Sequence, residues 1–287
     1  MAGSRMPGPL GMSGDVEESQ GLESGVLGAS AQPGPIGNEG IPLDAPTPAT
    51  PKAADTGVEL NLVANYPKPA SWTLAKEKEL IGANTWFPHT LDFQAVAGKG
   101  SQVISSPEDF LLKIIQTKGA INRLNFFSHG VTGKIAMSGT MDPNGQFVTL
   151  DTGWTGVIGA KRIADPYAKT WGDSGEDSGS VKIQVGSTSF SLDDVRAKFT
   201  SAAEIWLYIC HGGTDPMLLQ NISNTFQATV KGFTKIIVYC APSNFPTSRN
   251  HKVATKTTEK ASDSCPSAVS DFHQLTANVT TASPKKP

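Results

Sequence analysis

The chain has 287 residues, 38% of them hydrophobic and 17% charged, with 29 Gly, 20 Pro and a net charge of −2. Globular domains average about 25% charged residues, so this is a weakly charged, turn-rich chain without the clustered basic excess by which nucleic-acid binders neutralise phosphates. No apolar run approaches the roughly 18 residues that a membrane-spanning helix needs.

The charge is unevenly placed. Residues 1–57 hold 11 Gly, 8 Pro, seven acids, two bases and no aromatic residue, which gives net −5. Such a segment cannot bury a core, and a disordered, acidic arm is expected there. The remaining 230 residues carry 22 basic and 19 acidic side chains, net +3. No continuous apolar block precedes a small-residue cleavage site, so the expected location is the cytoplasm, or outside the cell by a route without a Sec signal. Three cysteines, Cys210, Cys240 and Cys265, form an odd and sparse set. That argues against a disulfide framework and for a reducing compartment.

Taken in chain order, residues 58–63 read as at most an edge strand or linker, because Pro67 and Pro69 follow closely. The compact domain is expected to begin near Lys76, with short strands at 79–84 and 101–105. A helix follows: Ser106 caps it, Pro107 suits its first turn, and Glu108 and Asp109 favour its positive end. Phe110, Leu111, Ile114 and Ile115 give it one apolar face, and Gly119 stops it. Residues 121–128 (INRLNFFS) read as a buried strand that ends at His129-Gly130.

The Pro143-Asn144-Gly145 turn signal predicts a hairpin from 134–138 and 146–151. Residues 173–179 form a Gly, Ser and acid loop, and 181–185 alternate as a strand does. Ser191, with Asp194 three residues on, opens a helix expected to reach Ala203. Residues 204–209 (EIWLYI) make a second buried strand delivering Cys210-His211-Gly212-Gly213. Asp215 and Pro216 then begin a helix expected to end at Gly232. Residues 235–239 (KIIVY) form a third strand, ending at Cys240. From Pro246 to 287 the chain is polar, an extension expected to be partly disordered.

Short apolar strands alternating with helices predict an α/β fold, a mostly parallel sheet covered by helices on both faces. In such sheets the working crevice lies beyond the carboxyl ends of the strands, where His129, Cys210 and Cys240 are expected. Cys210 is the candidate nucleophile and His129 its base. The helix near Asp215 aims its positive end at the Cys210 loop, and the flanking glycines expose backbone N–H groups, so Gly130 and Cys210 amides are the candidate oxyanion donors.

An apolar strand ending in Ser128-His129-Gly130, a glycine-containing hairpin (Gly133, Gly139), a helix and a second apolar strand ending in Cys210 together form a pattern. It resembles the caspase-like fold of clan CD cysteine peptidases, which includes caspases, metacaspases, gingipains, clostripain and separase-like bacterial domains. The segments LNFFSHGVTGKIAMSG and IWLYICHGG are most similar to prokaryotic outliers of that group, and the resemblance spans residues 76–245. It implies a three-layer fold with a hairpin insertion, His129 as general acid/base, Cys210 as nucleophile, and the Gly130 and Cys210 amides as oxyanion hole. The implied partner is a polypeptide substrate, with no cofactor, metal or nucleic acid. Two features depart from the family. His211 follows the cysteine in place of a basic or small residue, and no Asp/Arg set defines a charged specificity pocket. Maturation by a cut after Cys210 is not expected, because the next helix follows directly.

Other readings compete. His129, Cys210, His211 and Cys240 have ligand chemistry suited to zinc but lack the paired spacing of zinc motifs. His-Gly-Gly is similar to an α/β-hydrolase oxyanion segment, but no G-x-S-x-G elbow accompanies it. Cys240 reads as a buried strand residue, and His89, His251 and His273 as surface or structural residues. A catalytically inactive binding scaffold, or an effector domain with a delivery arm, are the alternative functions.

Overall fold

The computed structural model describes residues 57–83, 87–131, 134–151, 182–256 and 267–285. The expected N-terminal arm and the 173–179 loop lie outside them. Six strands make the central sheet: β1 (Val58–Ala64), β2 (Gln102–Ile104), β3 (Ile121–Phe127), β10 (Phe199–Tyr208), β11 (Thr229–Phe233) and β14 (Val279–Ala282). Their order is β14-β11-β10-β3-β1-β2, parallel except for the antiparallel β14. The chain steps outward from β1 to β2, then returns across β1 to β3 and continues to β10 and β11. The direction of strand addition therefore reverses between β1 and β3, and ligands of open parallel sheets bind beyond the carboxyl ends at that kind of junction.

The remaining strands form antiparallel pairs. These are β4 (Gly130–Val131) with β5 (Lys134–Ile135), β6 (Ser138–Met141) with β7 (Phe147–Asp151), β8 (Lys182–Val185) with β9 (Thr188–Ser191), and β12 (Ile236–Cys240) with β13 (Lys252–Lys256). The helices are α1 (Leu74–Gly82), α2 (Thr90–Ala97), α3 (Pro107–Gln116), α4 (Leu192–Arg196) and α5 (Pro216–Phe226), with a 3-10 turn at Phe272–Gln274.

Helices flank the sheet. Phe126 of β3 meets the edge of Phe110 from α3, with ring centroids 5.3 Å apart, and Phe226 of α5 lies 6.0 Å from Phe110. Residues of the other parity face away from these rings. There Asn61 donates to the Ala97 carbonyl that ends α2, and Phe127 stacks on Tyr208 and packs edge-on to Phe272 of the 3-10 turn. Each fully buried Leu or Phe of this interior contributes roughly 1.5–3 kcal/mol of transfer free energy.

Several expectations are corrected. β1 is an interior strand and not an edge or linker, because Pro67 and Pro69 fall after its end, and its side chains from Leu62 to Ala64 are fully buried. Residues 79–82 belong to α1 and not to a strand; Thr73 caps the helix, and Ala, Lys, Glu and Leu favour it. The helix after Ser191 stops at Arg196, and β10 begins already at Phe199. The helix after Asp215 ends at Phe226, where Gln227 turns left-handed with φ 53°, and residues 229–233 become β11. β12, expected in the parallel sheet, pairs instead with β13. Residues beyond 246 supply both β13 and β14, so these two segments of the C-terminal extension belong to the fold.

Candidate functional site

β3 and β10 run parallel in register up to the pair Phe127↔Tyr208. His129 and Cys210 are each two residues past that pair, so they occupy equivalent positions on adjacent strand exits. Cys210 carries a thiol and is half-buried; its S–H donates to the Ile237 carbonyl of β12 at 3.5 Å.

The His129 ring sits among aromatic edges. Tyr66, Phe147, Phe93 and Phe87 have ring centroids 4.6, 5.0, 5.3 and 6.2 Å away, each near-perpendicular to it. Nε2–H donates to the Pro88 carbonyl at 2.8 Å. That bond fixes the tautomer and leaves Nδ1 with its lone pair, as a base requires. Desolvation lowers the ring's pKa from 6.5 to about 4, against the raising effects of the Pro88 carbonyl and Asp92. His129 is therefore a neutral imidazole at physiological pH.

Pro88 is held in turn by the start of α2. Thr90 N–H donates to the Tyr66 carbonyl and Tyr66 N–H to Thr90 Oγ1, at 3.0 and 2.6 Å. The hydroxyl of Tyr66 reaches Ser128 Oγ and the Ala136 carbonyl at 3.2 and 3.0 Å, which ties the β1 exit to the β3 exit.

Behind Pro88 lies a buried charge network with no local sign in the sequence. Arg249 donates to Asp92 and to Glu77, each at 2.6 Å, and both carboxylates are fully buried. Lys68 also donates to Glu77, and His251 Nε2 donates to Asp92 Oδ1, at 2.7 and 2.8 Å. Arg249 further donates to His89 Nε2 at 3.2 Å, which places the His89 proton on Nδ1. That Nδ1 lies 3.2 Å from Asp92 Oδ2 but out of line for a hydrogen bond. Burial pulls the His89 pKa from 6.5 down to about 4, so this ring is neutral too. Burial alone would raise Asp92, but the His251 hydrogen bond and the neighbouring rings hold it below the usual carboxylate range. His89 and His251 are thus interior residues. Only their burial distinguishes them, and in sequence His89 sits among aromatic residues and His251 in a polar stretch without partners that spacing can name. His273 does lie near the surface, between Asp271 and Glu59.

The glycines after Cys210 have a different purpose from the one expected. His211 turns left-handed with φ 57°, and Gly213 N–H donates to the Phe233 carbonyl at 2.8 Å. A Cβ on Gly213 would stand 2.2 Å from the Gly232 carbonyl oxygen, so the turn presses directly on β11. These amides close a packing contact. Likewise the first amides of α5 are taken by its cap, Asp215 Oδ1 accepting from Met217 and Leu218. Gly130 lies in β4, opposite Ile135.

Cys240 belongs to the β12–β13 ribbon and not to the parallel sheet in which it was expected. It is disulfide-bonded, which corrects both its reading as a buried thiol and the expectation of no disulfide. Among the described residues no group of His, Cys, Asp and Glu is arranged to hold a metal ion, and no helix is long and apolar enough to cross a membrane. No protein-family model, curated protein or solved structure matches the chain.

Proposed function

We propose that this chain is a caspase-like cysteine peptidase that cleaves polypeptides through Cys210 and His129. One observation supports the reading: Phe127 and Tyr208 pair in register, and His129 and Cys210 each lie two residues past that pair, at the exits of adjacent parallel strands. The neutral, tautomer-fixed imidazole adds to it. In the reaction, His129 Nδ1 takes the thiol proton and the Cys210 sulfur attacks the peptide carbonyl carbon. The resulting oxyanion is held by the Gly130 and Cys210 amides. Collapse forms a thioester as His129 returns the proton to the leaving amine, and water then hydrolyses the acyl-enzyme. The three-layer arrangement and the hairpin insertion between the His and Cys strands belong to this same reading.

The test is cleavage of a diverse peptide library by the full chain and by Cys210→Ala and His129→Ala. Loss of turnover by at least about 10³-fold in both variants, with circular dichroism retaining the native fold, is the expected result. Full activity in Cys210→Ala would remove the sulfur from the mechanism, and an inert wild type would favour the scaffold alternative.

A further inference from the structure

One buried hydroxyl on the strand that accepts from the thiol has no hydrogen bond at rest. Tyr239 lies on β12, two residues after Ile237, whose carbonyl accepts from Cys210. Its ring packs edge-on against Phe93 at 5.1 Å, and Phe93 packs against His129 at 5.3 Å. Phe93 therefore links Tyr239 to His129, while Ile237 of the same strand accepts from Cys210. Its hydroxyl is buried and has no hydrogen-bond partner among the described residues. An orphaned buried hydroxyl is destabilising, so a partner acquired during function would recover stabilisation now missing.

We propose that Tyr239 is a positioning residue whose hydroxyl donates a hydrogen bond to the Cys210 sulfur once that sulfur ionises. The inference rests on the reading that Cys210 gives its proton to His129. In the resting protein the S–H points to the Ile237 carbonyl. When the proton moves to His129 Nδ1, the sulfur becomes purely an acceptor and that carbonyl repels it. Tyr239 O–H is the buried donor at hand, and it keeps its own proton throughout. Burial, with the nearby charges of Cys210, Tyr208 and Asp92, holds the phenol well above its ordinary pKa of 10, so it acts as a donor and not as a base. The ionisable groups around this pair are thus Cys210, Tyr208, Asp92 and His129, with His89, His251 and Arg249 behind Asp92.

The experiment is the pH dependence of iodoacetamide alkylation at the Cys210 peptide, followed by mass spectrometry, in wild type and Tyr239→Phe. Wild-type Cys210 is expected to ionise below the ordinary thiol value of about 8.5. Loss of a hydrogen bond to a charged acceptor is expected to raise its apparent pKa by about one unit or more, slowing alkylation about tenfold near pH 7. The variant should melt at or above the wild-type temperature, since Phe fills the same space and removes an orphaned hydroxyl. An unshifted or lowered thiol pKa overturns the proposal, as does a wild-type value above about 8.5. A clear drop in melting temperature would do so too, because the hydroxyl would then already be bonded at rest. Alkylation needs no turnover, so the outcome is separable from peptide cleavage: a shifted thiol pKa in an inert protein would retain the Tyr239 contact and defeat only the peptidase reading.

Discussion

Burial sets the protonation of His89 and His129, both held near pKa 4 against 6.5 in the unfolded chain. Between those values the unfolded chain binds more protons than the native protein, so native stability rises with pH across the window and is lost as pH falls from about 6.5 to about 4. Each ring contributes a slope of up to about 1.4 kcal/mol per pH unit. Asp92 acts in the same sense at lower pH, because its carboxyl is depressed in the native protein. Melting temperatures are therefore expected to fall steadily from pH 6.5 to pH 4, with a shallower fall in His129→Gln; calorimetry at constant ionic strength measures both. A melting temperature flat across that window would mean the rings are hydrated. The strand exits on which His129 and Cys210 lie were legible in sequence because each follows an apolar run and is closely followed by glycine. Glu77, Asp92 and Arg249 were not, since a charged residue on a short helix or in a polar stretch gives no local sign that tertiary contacts have taken it from water.

Arg249 joins elements far apart in the chain. It reaches Asp92 of α2 and Glu77 of α1 from the segment between β12 and β13, and its guanidinium lies 5.1 Å over Phe245. Replacing it by Met removes one partner from two fully buried carboxylates, the costly way to break a buried ion pair. Arg249→Met is expected to destabilise by about 3 kcal/mol in urea unfolding, with partial recovery when Glu77→Gln is added. A loss under about 1 kcal/mol would show that water compensates the carboxylates. The starts of α3, α4 and α5 were readable because caps are local: Ser106 accepts from Asp109 N–H and Ser191 from Asp194 N–H, as the sequence predicts, whereas α1 and α2 were not. Helix ends were less so. Residues 229–233 continue an apolar pattern compatible with helix, and become β11 because the edge of β10 offers them a full parallel ladder.

Across the whole molecule, the sheet closes on the side of β11 with β14, drawn from the last residues of the chain. Val230↔Ala282 through Phe233↔Val279 pair in register, and Thr234 N–H adds a bond to the Asn278 carbonyl. Ending the chain after Gln274 would expose the ladder edge of β11, with Val230 and Phe233 fully buried in the intact protein. Lower melting temperature and concentration-dependent association, followed by light scattering, are expected. A truncated chain that stays monodisperse would show that another segment covers this edge. The alternation of apolar strands and helices, the capped helix starts and the positions of His129 and Cys210 follow from local pattern, and local pattern is what sequence encodes directly. Strand order, the interior place of β1, the recruitment of β13 and β14, the bonded state of Cys240 and the charge network behind Pro88 depend on which surfaces meet after collapse. Those are contacts between distant residues, and no spacing rule within the chain prescribes them.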